Sequence, residues 1–332
     1  MNAKYSLFVS AFLVLFTAHT VDAQQPAKVP TLGYLSQFAG TDGAKHPVLE
    51  AFLRGLTELG YVEGKNIAIE YRYTEGKNDR LPALVAELVS QKVDIIVTET
   101  GGAAREAKKA TQTIPIVMEN SGDAVIVGLV ASLDRPGGNV TGLTSLSGAG
   151  AAKRLQLLAE LVPNLIHVGV LWPGHGSPLM DREWALTTEA AGPLNVQLHS
   201  LMASDSAGLP GAFAEAKRQQ VQAIVQFDVP ALLVPSATAQ TIEFARTNRL
   251  PVMFQTPTVI REGGLIAYGM DGIEQSRRAA GYVDRILKGA KAGDLPVGTP
   301  EKFVLLVNLK TAKAIGLTIP PSIMSRADTV IE

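Results

Sequence analysis

The short polar stretches that follow apolar runs are where this sequence could do chemistry. In Thr98-Glu99-Thr100-Gly101-Gly102-Ala103, small residues lead from an apolar run into a helix start. The backbone N–H groups of such a start attract an anion, though the same residues also suit a plain tight turn. Glu119-Asn120-Ser121-Gly122-Asp123 offers Asp123 either as the partner of a ligand ammonium or as the N-cap of the next segment. Trp172-Pro173-Gly174-His175-Gly176-Ser177 puts an indole at the end of an apolar run, where it stacks on a flat ligand or fills the core. Phe227-Asp228 and Tyr268-Gly269-Met270-Asp271 each end such a run with an aromatic residue and an acid. Either Asp could hold an ammonium or cap a helix. Ser36, followed by Gln37-Phe38-Ala39-Gly40, closes the first run.

These groups suit recognition better than catalysis. His175 beside Ser177 invites a hydrolase reading, but no G-x-S-x-G surrounds the serine and no acid is placed to orient the histidine. Neither G-x-G-x-x-G nor a P-loop occurs, which removes the dinucleotide and ATP readings. His19, His46, His167, His175 and His199 are scattered with no H-x-x-x-H, and the chain has 0 cysteines, so no metal site is expected. A formal net charge of −1 gives no cationic surface for nucleic acid. The expectation is a protein that is not an enzyme, needs no cofactor and takes a small-molecule solute.

The N-terminus reads as an export signal. Lys4 precedes an apolar run over 5–18 that is too short to span a bilayer, and Val21-Asp22-Ala23 supplies a cleavage site. Residues 1–23 are therefore expected to be removed after Ala23. That leaves a protein with no membrane insertion, free in the periplasm where the cell has an outer membrane.

The elements that must position the candidate loops alternate. Strands are expected at 32–35, 66–73, 93–97, 114–118, 168–172, 196–201, 223–227, 252–255, 265–268 and 303–307. Helices are expected at 48–59, 81–89, 103–111, 125–133, 153–161, 181–191, 211–219, 236–248, 273–288 and 311–315. Strands separated by helices of about 10–15 residues mean βαβ units and parallel sheets. The alternation restarts after Asp134-Arg135-Pro136-Gly137-Gly138-Asn139-Val140-Thr141-Gly142-Leu143-Thr144-Ser145. This stretch reads as a turn, as an N-x-T sequon, or as a joint between two bodies. The expected fold is α/β, with two Rossmann-like doubly wound lobes whose ligand sits at the carboxyl ends of the strands.

Several segments then point to a family. "LGYLS", "FLRGLTELGYVEGKNIAIEYRYTEGKNDRLPALVAELV", "TIPIVM", "GLVASLDRPGGNVTGLTSLS", "RRAAGYVDRILKGAKAGDLPV" and "KFVLLVNLKTAKAIGLTIPPSIMSRADTVIE" resemble the ABC-transporter substrate-binding family that includes tryptophan-binding, TrpX-type proteins. The resemblance implies a type I periplasmic-binding fold, with lobes of 29–143 plus 272–300 and 144–271 plus 301–332. It implies three hinge crossovers near 140–145, 269–272 and 298–303, and a permease and an ATPase as partners of a monomer. With the loops read above, a hinge-bending receptor is expected to use Ser36, Gly102, Ala103, Asn120 and Asp123 on one side of the cleft. Trp172, Phe227 and Asp228 fall on the other, with Ser145, Tyr268 and Asp271 beside crossings. N–H groups near Gly102 would take a carboxylate, and Asp123 or Asp271 an ammonium. Three loops depart from the family pattern: Thr100-Gly101-Gly102 stands where Gly-Thr-Pro is usual, Pro173-Gly174-His175-Gly176 where Asn-Pro is, and Gly122-Asp123-Ala124-Val125 where Gly-Asp-Pro-Val is. An amino acid, aromatic or not, and other small organic anions stay open as ligands, and so does a sensing partner in place of a transporter.

Overall fold

The computed structural model describes residues 28–36 and 46–332. The expected signal peptide and residues 37–45 lie outside them. In chain order, β1 (Thr31–Ser36), α1 (Pro47–Glu58), β2 (Ala68–Tyr73), α2 (Leu81–Ser90), β3 (Ile95–Thr98), α3 (Gly101–Ala110), β4 (Ile116–Met118) and β5 (Val140–Gly142) come first. Then follow α4 (Ala151–Leu161), β6 (His167–Trp172), α5 (Pro178–Ala191), β7 (Gln197–Met202), α6 (Leu209–Arg218), β8 (Ala223–Gln226), α7 (Pro235–Asn248), β9 (Val252–Phe254) and β10 (Ile266–Met270). The last elements are α8 (Gly272–Leu287), β11 (Phe303–Asn308), α9 (Leu309–Ile315), α10 (Pro321–Met324) and β12 (Thr329–Ile331).

Two sheets result. The first has the order β2-β1-β3-β4-β5 and is parallel throughout, with Leu32 opposite Ile69 on one side and Ile95 on the other. The second runs β12-β11-β10-β9-β8-β6-β7, with β10 and β11 antiparallel. The alternation of side chains along each strand feeds two cores on the first sheet. Leu32, Tyr34, Ile95 and Val97 face α1 and α8, while Leu35, Ile96, Ile116 and Met118 face α2 and α3. This two-sided burial is why β3 reads as an unbroken apolar run.

Helix α8 returns to the first sheet after β10 has finished in the second. It packs on α1 so closely that a Cβ on Gly55 would lie 2.3 Å from the Arg277 carbonyl oxygen. The chain passes between the sheets three times, after β5, after β10 and before β11, and the passages touch. Leu143 bridges Gly298, Thr144 N donates to Gly298 O at 2.9 Å, and Gln275 Nε2 donates to Thr144 O at 3.0 Å. In the stretch quoted from Asp134 to Ser145, Asn139 Nδ2 donates to the Thr111 and Ile114 carbonyls, which ties the sequon asparagine into the fold.

One expected helix is absent. Residues 125–133 make a single turn, with Val127 N bonded to Asp123 O, and Gly128 at φ 71° then takes the chain into the left-handed region and ends it. Leu129 and Val130 turn inward to the core while Val125 and Ile126 stay exposed.

Candidate functional site

The carboxyl ends of both sheets face one cleft, as the parallel topology requires. It holds a cavity of about 370 Å³, within the size range of small-molecule sites. The two walls differ. The first sheet presents mainly polar groups, among them Glu99, Thr100, Arg105, Glu119, Asn120 and Ser145. The second presents Leu179, Met180, Val229, Leu233, Pro257 and Val259, with Asp228 and Gln255 among them.

The turn after β3 is built to leave amide groups open. Thr100 caps α3, its Oγ1 accepting from Ala103 N at 3.3 Å. Gly101 has to be glycine, because a Cβ there would sit 2.7 Å from Ser121 O. At Gly102 a Cβ would meet nothing nearer than Thr100 Oγ1 at 4.0 Å, so this residue opens on the cavity. The first amides of a helix have no partner within it and carry its positive end. Those of Gly101 and Gly102 are therefore suited to a carboxylate. Ala103 points elsewhere, buried in the core beneath α3.

The acidic groups come next. Glu119 follows β4 and is 1% exposed. Ser276 Oγ and Tyr34 Oη donate to its Oε2 at 2.5 and 3.1 Å. Burial pushes the Glu119 carboxyl up to about 8, with Glu99 adding to the rise and the two hydrogen bonds opposing it. Ser36 does not line the cavity directly; its Oγ donates to Glu99 Oε2. On the opposite wall Asp228 keeps part of its surface in the cavity although atoms crowd around it. That crowding raises it to about 6, while the charge of Arg154 pulls it back.

Of the residues singled out in the sequence, the cavity gathers Gly102, Asn120, Ser145 and Asp228. Both other Asp residues cap: Asp123 Oδ1 accepts from Val125 N and Ile126 N, and Asp271 Oδ1 from Ile273 N and Glu274 N. Trp172 is 1% exposed, stacks on Trp184 at 4.5 Å and donates Nε1–H to Ser200 Oγ. Phe227 packs edge-on against it in the same core. Tyr268 stacks on Phe303, which itself borders the cavity. The histidine reading needs correcting: Asp181 does meet His175, Nδ1 to Oδ1 at 2.6 Å. Helix α5 begins just after the loop and swings that acid back over it. The pair is exposed, and its link to Ser177 is through the backbone, Asp181 N donating to Ser177 O at 2.8 Å, not through the serine hydroxyl. Glu99, Glu119, Arg105 and the segment 255–259 also line the cavity, and the sequence assigns them no role although Glu119 stands directly beside Asn120 at a strand end.

The sequence model of the ABC transporter substrate binding protein family matches residues 36–331. The chain belongs to that family. A tyrosine-binding protein of Clostridioides difficile is 26% identical over 286 residues, 82% of this chain and 79% of that one. The crystal structure of a conserved domain protein from Vibrio cholerae aligns with a TM-score of 0.81 at 27% identity, covering 91% of this chain and 100% of that one. The ABC domain of a Streptococcus pneumonia protein in complex with L-Trp also aligns with a TM-score of 0.81, at 22% identity over 91% and 99% of the two chains. The two-lobe architecture is thus the type I periplasmic-binding fold, and the chain is a solute-binding component of an ABC transporter. Among the described residues no helix is long and apolar enough to cross a membrane.

Proposed function

We propose that this substrate-binding protein captures an amino acid with a large apolar side chain, exported by a signal peptide cut after Ala23 and delivering its cargo, as a monomer, to a permease and an ATPase. The observation that carries the reading is that the apolar side chains of the cleft gather on one wall, opposite a wall that is mainly polar. The carboxylate goes to the open amides of Gly101 and Gly102, the ammonium to the acidic groups, and the side chain to Leu179, Met180, Val229, Leu233 and Val259. The tyrosine and tryptophan bound by the two relatives named above support it. Residues 29–143 with 272–300, and 144–271 with 301–332, act as the two bodies, and the three touching passages between them act as the hinge.

A thermal-shift series tests this. L-tryptophan, L-tyrosine and L-phenylalanine are expected to raise the melting temperature with concentration, an effect of about 2.7 kcal/mol at a hundredfold excess over Kd. Tryptamine and indole-3-propionate, each lacking one charged group, are expected to raise it far less. A neutral sugar outperforming every amino acid, or turnover of a bound solute, would sink the reading.

Gly102→Asp probes the carboxylate site separately from the fold. The new side chain enters open space, and an acid in the first turn of a helix is stabilising by about 0.3–1 kcal/mol. Stability is expected to hold or rise, while affinity for L-tryptophan drops at least about tenfold because two carboxylates then compete for one set of amides. Unchanged affinity by calorimetry would move the carboxylate elsewhere.

A further inference from the structure

Among the described residues four carboxyl groups border the cavity, those of Glu99, Glu119, Asp228 and Glu262. They are not equivalent. Asp228 has a counter-charge within electrostatic reach, Arg154. For Glu119 the charge that acts among the described residues is another acid, Glu99, which raises it further, and Arg105 on the same cavity wall does not offset it. Both of its hydrogen-bond donors, Ser276 and Tyr34, go to Oε2. Oε1 is buried and has no partner among the described residues. A buried carboxyl oxygen without a partner costs about 1–3 kcal/mol, and a ligand group in the cavity can supply what is missing.

The position fits one part of an amino acid. Strands β3 and β4 are neighbours in the sheet, about 4.8 Å apart. Glu119 at the end of β4 and the open amides after β3 are therefore side by side, and Gly101 packs directly on Ser121 O. We propose that Glu119 is the acceptor for the ammonium group of the ligand, receiving it on Oε1 and releasing its own proton to solvent as it does so. This rests on the amino-acid reading above. The ammonium keeps its three protons, and the carboxyl becomes the carboxylate that pairs with it.

The proton is there to be released. With two donors on Oε2, the proton of the neutral carboxyl must ride on Oε1, and a carboxyl raised to about 8 is mostly protonated at pH 7. The groups facing it do not substitute for it. Tyr34 from β1 is itself held neutral by burial, and Glu99 adds repulsion from the end of β3. From α8 comes the uncharged Ser276, while Glu274 and Arg277 pair with each other and with Glu58 at the surface.

Calorimetry of the full chain with L-tryptophan and L-tyrosine, in buffers of different ionisation enthalpy at pH 7, tests the proposal. Close to one proton released per ligand is expected, with affinity rising about tenfold per pH unit from 6 to 7 and levelling above 8. Glu119→Gln is expected to bind at least about thirtyfold more weakly, with no proton release and a flat pH profile over that range. Asp228→Asn is expected to go on releasing the proton, which separates Glu119 from the other acid that titrates nearby. A melting curve of the ligand-free Gln variant confirms that it folds. Tight binding without proton release, or a Gln variant within threefold of the parent, overturns the assignment and leaves the amino-acid reading standing. Failure of every amino acid to bind removes the reading and the assignment together.

Discussion

Arg154→Ala is expected to destabilise the protein by about 3–5 kcal/mol, the range for breaking a buried ion pair from one side. Arg154 and Glu183 are both 0% exposed, and Nη2 donates to Oε1 at 2.6 Å. Burial pushes the Glu183 carboxyl toward neutrality, and the guanidinium pulls it back toward the charged form. Removing the guanidinium leaves the acid without its counter-charge, and Glu183 Oε2 already lacks a partner among the described residues. The paired change Arg154→Met with Glu183→Leu is expected to recover most of the loss, because removing both charges also removes the cost of burying them. Urea denaturation of the three proteins measures this. An Arg154→Ala loss below about 1 kcal/mol would show that the pair contributes little to this core.

The pair is placed where it also serves the cleft. Arg154 Nη1 donates to Tyr268 O at 3.4 Å, next to the second passage between the sheets, and its charge acts on Asp228 at the cavity. Gly150 makes room for it, since a Cβ there would be 2.6 Å from Nη1. One buried cation thus holds the floor of the second lobe together and keeps a cavity acid ionised. A Met/Leu pair that restores stability is therefore expected to weaken Asp228 as an anion.

Much of the architecture was legible because parallel sheets write themselves plainly. The runs that became β3 and β8 are continuous because they are covered on both faces, and Gly60, at φ 87°, marks the end of α1 as its type suggests. The failures have physical causes. Residues 125–133 carry helical spacing, but local spacing does not reveal that Gly128 turns left-handed after one turn. The end of the chain was missed for the opposite reason. Strand β12 is a short edge strand held by β11, and nothing in Thr329–Ile331 itself demands it.

The site was legible by position more than by residue. Looking past each strand end found the right loops, yet within a loop the sequence does not say which side chain points inward. Asp123 and Asp271 are drawn to the first turns beside them, because an Asp preceding a helical turn has amides within reach. Glu119 has no such amides and goes into the core instead. Trp172 satisfies its N–H on Ser200 and is complete without a ligand.

In the ligand-free protein Glu119→Gln is expected to be more stable than the parent at pH 8.5 and nearly equal to it at pH 5. The folded value of about 8 lies above the ordinary 4.5. Between these two, the folded chain holds a proton that the unfolded chain has released. Stability is therefore full below about 4.5, falls as pH rises, and levels off above 8, a decline of a few kcal/mol at most. Glutamine copies the neutral acid and escapes that decline. Other buried acids titrate in the same window, so the readout is the difference between the two proteins in denaturant midpoint at each pH, not either value alone. Equal differences at pH 5 and 8.5 would mean that Glu119 is not held neutral by the fold. The physical sense of such a residue lies in its relation to the ligand. A carboxyl kept in a destabilised state in the empty cleft gains most from an arriving cation, so the stability forgone in the empty protein reappears as differential affinity for the loaded one.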